Sequence, residues 1–323
     1  MNQSITNLIN KKMNKKNIKI IKHTFVLLLT IIIFAFLFSK IDFFELINIF
    51  KQVNLTLLSF AVFISFFNNI FLHADMWKRI LKYLGCNISL KEAVFVRISS
   101  YSFKILLPMK SGDFIKALYL KKQKNFSLKK GAASILFDII LGMCALLSLI
   151  FVGIIFLKIN LLNIPIIIII GLVFSFIIFF CLKITKNFIF SIFKRIHLKF
   201  YNILKELCAF EEIIFKKQSY FIIYAFVIQL IMLINFYILS KAINLNIPFS
   251  KIILIFPPII IISLIPISIF GLGIREGLII LFFSEFASFQ SLLSFGILIS
   301  FVEYILPALT GLFFVKPFLS KML

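Results

Sequence analysis

Six apolar runs, at about 24–39, 54–73, 131–157, 161–182, 219–240 and 291–315, constrain this chain more than any other feature. A helix needs roughly 20 residues to cross a bilayer core about 30 Å thick, and these runs are long enough or nearly so. Of the 323 residues, 62% are hydrophobic, too many for a soluble surface. The fold class expected is an all-α polytopic membrane protein with six full spans plus two re-entrant or broken helical regions. A single membrane domain would occupy 1–323, with a basic leader over 1–23 and half-repeats over 24–158 and 161–315. No small-residue cleavage site follows the first run, which therefore reads as a membrane helix.

A net charge of +23 would point to nucleic acid in a soluble protein. Here the cations lie mainly between apolar runs, where they set topology and meet anionic lipid head groups, so no nucleic-acid partner is expected. The segments 1–23, 74–92, 121–130, 183–218 and 316–323 hold 25 of the 35 Lys and Arg. They all fall on one side only if the irregular apolar regions at about 93–120 and 252–285 enter and return on the same face. The positive-inside rule then places both termini in the cytoplasm, in a plasma (cytoplasmic) membrane. Cys86, Cys144, Cys181 and Cys208 have no paired spacing, and His23, His73 and His197 are scattered. No disulfide, metal site or cofactor is expected.

Ala93–Leu107 makes only about 22 Å of helix, short of the bilayer core, before Pro108 breaks it. The two irregular regions also echo each other. "PMKSGDFIKAL" from Pro108 and "PISIFGLGIREGL" from Pro266 share a proline, a serine and then Gly-x-x-Ile-basic. Gly112, Ile115 and Lys116 precede Gly271, Ile274 and Arg275 by 159 residues. The implied order of spans, repeated with every direction reversed, is an inverted-topology repeat, in which paired broken helices mark a substrate site.

Of the other ten cations, Lys40, Lys51, Lys158, Lys241 and Lys251 fall in the outside loops, and Arg97, Lys104, Lys110, Lys116 and Arg275 all lie in the irregular regions. Charge inside a membrane is costly and faces a cavity or a partner. Half-helices starting at Ser111, as cap, and at Gly271–Gly273 would offer bare N–H groups to an anion, with Lys116 and Arg275 one turn in. Gly112 would add backbone access, and Pro108 and Pro266 would break the helices. The alternatives are plain. Asp113 and Lys116 can neutralise each other, Arg97 and Lys104 can snorkel to the surface, and Arg275 can pair with Glu276, Asp138 or Glu303.

"LLPMKSGDFIKALYL", "SILFDIILGMCALL" and "SLIPISIFGLGIREGLIILF" resemble the transmembrane region of the lysylphosphatidylglycerol synthase family, or flippase-like domain family. The element Pro266–Glu276 is the most specific part, and Gly112–Lys116 supports it, with lysine where the family usually has arginine. Ile139 follows Asp138 where the family pattern pairs the acid with arginine. The family's full-length synthases carry a soluble aminoacyl-transfer domain, which is not expected in this chain. The resemblance implies a flippase that moves an anionic or phosphate-bearing lipid between leaflets, not an enzyme. Substrate contacts would come from Arg275, Lys116, Arg97, Ser111, Gly112, Gly271 and Gly273, with Asp113, Asp138, Glu276 and Glu303 balancing charge. The alternatives are a membrane-embedded transferase using a lipid-phosphate donor, or a non-catalytic partner of a separately encoded lipid-modifying enzyme.

Overall fold

The computed structural model describes residues 42–106, 112–158, 218–264 and 273–322, together with Val173 and Ile177. The expected first span at 24–39 lies outside the described residues, as do Pro108, Lys110, Ser111, Pro266, Gly271 and, apart from those two residues, the span at 161–182. Among the described residues there are helices and no strands. A short helix α1 (Phe43–Lys51) is capped by Asp42, whose carboxylate accepts from the N–H groups of Phe44 and Glu45 at 2.9 and 3.2 Å. It leads into the first of four helices long and apolar enough to cross a membrane.

These four are α2 (Leu55–Tyr83), α5 (Leu128–Lys158), α6 (Gln218–Ala242) and α9 (Phe289–Ser320). Each coincides with one of the expected spans. Large side chains such as Phe63, Phe67, Phe71 and Phe313 are exposed on them, as lipid-facing residues are in a bilayer. Phe63, Phe67 and Phe71 stack at successive i, i+4 positions with ring centroids 6.4 and 6.3 Å apart.

Between the long helices lie shorter ones: α3 (Leu90–Leu106) and α4 (Ile115–Lys124), then α7 (Phe249–Ser263) and α8 (Ile274–Phe283). The longest, α3, has 17 residues and reaches about 25 Å, short of a bilayer core. Each pair doubles back as a hairpin. At the open end of the first, Lys124 Nζ lies 3.2 Å from Glu92 Oε2, and the Tyr119 hydroxyl donates to Glu92 Oε1 at 3.2 Å. At its tip Gly112 lies against the main chain of Phe103 and Lys104, so close that a Cβ would strike it. In the second hairpin Lys251 Nζ lies 3.1 Å from Glu285 Oε1, and Phe256 meets Phe283 at 5.3 Å.

The order of long helix, hairpin, long helix therefore occurs twice. Its second occurrence follows at a nearly constant distance: α3 and α7 begin 159 residues apart, as do α4 and α8. Each hairpin packs on a long helix of the other half. Gly153 of α5 lies against Leu254 of α7, and Gly311 of α9 against the Ile98 carbonyl of α3. α2 and α6 cross directly, with Asn68 Nδ2 donating to the Ile228 carbonyl at 3.2 Å. Around these contacts runs a continuous apolar core that includes Trp77, Phe221, Phe236, Phe256 and Phe295.

Candidate functional site

α3 carries Arg97, Tyr101 and Lys104 at spacings of four and three, so all three share one face. The Tyr101 ring lies between the cations, 5.8 Å from the Arg97 guanidinium and 4.3 Å from Lys104 Nζ. The tight turn at 112–114, seated on the end of α3 through Gly112, brings Asp113 to this face. Asp113 Oδ2 lies 3.0 Å from Lys104 Nζ, and its Oδ1 lies 2.9 Å from Lys116 Nζ one turn along. Lys116 is 1% exposed and stands over the Trp77 ring at 5.5 Å. The Trp77 indole is itself held by Ser134 Oγ at 3.1 Å.

α5 adds Asp138, with its two oxygens 3.8 Å from Arg97 Nη1 and 3.8 Å from His73 Nδ1 of α2. Arg97 thus comes from another helix to meet the acid that Ile139 leaves without an arginine neighbour in sequence. It does not snorkel: it is 5% exposed, and its Nε donates to the Asn69 carbonyl at 2.5 Å. The apolar segment around it and the acid within reach hold it inside. Arg97, Lys104, Asp113, Lys116, Asp138 and His73 all line a cavity of about 190 Å³. The cavity is also lined by Gln229 and by the apolar Met143, Leu146, Met232 and Ile260, and it includes Ile139, which is 40% exposed.

Arg275 and Glu276 do not line that cavity. They open α8 and form a second buried cluster. Arg275 Nη1 donates to Ser300 Oγ at 2.9 Å, and its guanidinium stands 4.0 Å from the centre of the Tyr304 ring. Ser300 Oγ donates in turn to Glu276 Oε1 at 2.5 Å. Gly273 has φ +81°, a conformation suited to glycine, and its N–H donates to Glu276 Oε2 at 2.5 Å. The N–H expected to face a ligand is therefore occupied by a carboxylate of its own helix.

Glu303 lies one turn past Ser300, 4% exposed. Its oxygens accept from Asn69 Nδ2 at 2.5 Å and Asn235 Nδ2 at 2.6 Å. Asn69 and Glu303 both sit on π-helical turns, Phe67–Leu72 of α2 and Phe301–Ile305 of α9. Such turns break the regular i→i−4 ladder and recur at functional sites. Asn69 joins the two clusters, since its carbonyl accepts from Arg97 and its amide donates to Glu303. Asn69, Asn235, Ser300, Tyr304, His73 and Trp77 were not among the residues expected from sequence. The polar residues interrupting "FFNNIF" and "LINFY" were the available signal.

Long apolar helices around a buried, cation-rich cavity define a multi-pass helical membrane protein with an ionic site inside the bundle. The chain belongs to the family described as the lysylphosphatidylglycerol synthase TM region, whose model matches residues 24–311. That membership ties it to the modification or transport of membrane lipid. No curated protein matches the chain.

Proposed function

We propose that the protein moves an anionic or phosphate-bearing lipid between the leaflets of the plasma membrane. The observation that carries this reading is the cavity in which Arg97, Lys104 and Lys116 face two carboxylates. Among the described residues one cation is in excess, and a phosphodiester would balance it through charge-assisted hydrogen bonds. The apolar part of the lining, with the exposed Ile139, suits the alkyl part of the same molecule. In this reading Lys116, Arg97, Lys104, Ser111 and Gly112 bind the phosphate. Asp113 and Asp138 balance the cations when the site is empty. Arg275, Glu276 and Gly273 shape the start of α8 and bring the second hairpin to the same centre through Glu303 and Asn69.

The halves 24–158 and 161–315 form an inverted-topology repeat with both termini in the cytoplasm. Supporting this are the 159-residue spacing of both hairpins and the reciprocal packing of Gly153 on Leu254 and Gly311 on Ile98. Broken helices paired across such a repeat are where transporters place their substrate.

The test is a structure of the chain in nanodiscs of phosphatidylglycerol. Head-group density against Lys116, with the alkyl chain along Ile139, is the expected result. Lipid density confined to the outer surface, with the cavity holding water alone, would overturn the reading.

A further inference from the structure

We infer that Glu303 is a proton-binding site linked to the anion site, so that a proton enters the protein together with an anionic head group. The inference rests on the anion-site reading above and adds to it the identity of a coupling ion. Its basis is the distribution of charge. Among the described residues, the cavity cluster has three cations, Arg97, Lys104 and Lys116, against Asp113 and Asp138. The second cluster has Arg275 against Glu276 and Glu303. The excess cation and the excess carboxylate offset each other through Asn69, which touches both Arg97 and Glu303. A phosphodiester in the cavity consumes the excess cation and leaves these described buried groups one charge negative. Net charge inside a membrane is costly, and a proton from solvent taken up on the Glu303 carboxylate restores the balance.

The surroundings of Glu303 accommodate both forms. The ionised carboxylate accepts from the Asn69 and Asn235 amides. Asn235 is 1% exposed, and its Oδ1 is buried with no hydrogen-bond partner among the described residues. Rotating that amide by half a turn presents Oδ1 to the carboxyl, where a protonated Glu303 donates to it while still accepting from Asn69. The orphaned oxygen of the ionised state becomes the acceptor of the protonated one.

The other groups around Glu303 are fixed donors or weak acids. α2 brings Ser65 and Asn69, and α6 brings Asn235. α8 brings Arg275, with Glu276 behind it on Ser300. Tyr304 of its own helix and Tyr101 of α3, next to Arg97, are the others among the described residues. The last turns of α9 carry only Lys316, which is exposed.

The chain's single tryptophan supplies the readout of binding, because Lys116 Nζ lies 5.5 Å from the Trp77 ring. Purified full-length protein in weakly buffered detergent is titrated with dihexanoylphosphatidylglycerol while Trp77 fluorescence and a pH dye are followed together. The expected result is a saturable Trp77 response with uptake of about one proton per chain, and an apparent Kd that rises by up to about tenfold per pH unit as Glu303 ionises. In Glu303→Gln the Trp77 response persists while proton uptake and the pH dependence vanish. A Trp77 response in the wild-type protein with no proton uptake, or a Kd that does not change with pH, would overturn this inference and leave the anion site standing. Undiminished uptake in Glu303→Gln would overturn it as well. No Trp77 response would overturn the anion site, and the proton site with it.

Discussion

Arg97 Nε donates to the main-chain oxygen of Asn69 at 2.5 Å, and the side chain of the same asparagine donates to Glu303 at 2.5 Å. Replacing Asn69 by leucine keeps the first contact and removes the second. Glu303 then depends on Asn235 among the two amides, and the loss of one donor to a buried charge costs about 1.5–3 kcal/mol. Asn69→Leu is expected to lower the thermal midpoint in detergent, and Asn235→Leu to do so by a similar amount. Midpoints unchanged in both variants would mean that Glu303 does not need these amides.

Asp113 lies between Lys104 and Lys116 at 3.0 and 2.9 Å. Asp113→Asn would leave the buried Lys116 and the half-buried Lys104 facing a neutral amide. Breaking a buried pair by removing one partner costs about 3–5 kcal/mol. The double variant Asp113→Asn with Lys104→Gln removes one of the stranded charges and should recover part of the loss. Denaturant titration of the three proteins measures this coupling. Equal losses in the single and double variants would contradict it.

The contact of Glu92 with Lys124 and that of Lys251 with Glu285 each join the two ends of one hairpin. Single cysteines replacing Lys91 and Lys124 are therefore predicted to react with an impermeant maleimide only from the cytoplasm. Cysteines replacing Lys251 and Glu285 should react only from outside. Opposite labelling within either pair would remove the re-entrant geometry, and the inverted repeat would fall with it.

Close helix approach at Gly153 and Gly311 makes a size-dependent prediction. A Cβ at either position meets neighbouring main chain, whereas one at Gly277 meets nothing within 4 Å. Overpacking costs about 1–3 kcal/mol, while alanine is favoured over glycine in an open helical site by about 1 kcal/mol. Gly153→Ala and Gly311→Ala should each lower the thermal midpoint, and Gly277→Ala should hold or raise it. The reverse order would mean that the two halves do not pack through these glycines.

Much of this architecture is legible along the chain, because apolar run length and cation placement follow directly from the bilayer as solvent. The shared spacing of Gly112 and Lys116 with Gly271 and Arg275 signals two related elements, and the element boundaries keep that spacing. The grouping of charges is not legible in the same way. The matching motifs pair Lys116 with Arg275, but the bundle joins Lys116 to Lys104 and Arg97 around one cavity. Which cations share a cavity depends on helix crossing, for which local pattern carries little information. The partners of Arg275 illustrate the point: Ser300 and Tyr304 are ordinary residues in an apolar run, and only folding brings them to the guanidinium.

The central claim is that the cavity around Lys116 carries a lipid phosphate across the membrane. Its most direct test is leaflet exchange of fluorescent phosphatidylglycerol in proteoliposomes, followed by dithionite quenching. Wild-type protein and Lys316→Gln, altered at an exposed lysine, are predicted to exchange lipid well above protein-free vesicles. Lys116→Gln should be slower by about tenfold, the ratio that roughly 1.4 kcal/mol of lost head-group binding produces. Equal rates for Lys116→Gln and wild type, or no exchange above protein-free vesicles in any of them, would contradict the claim.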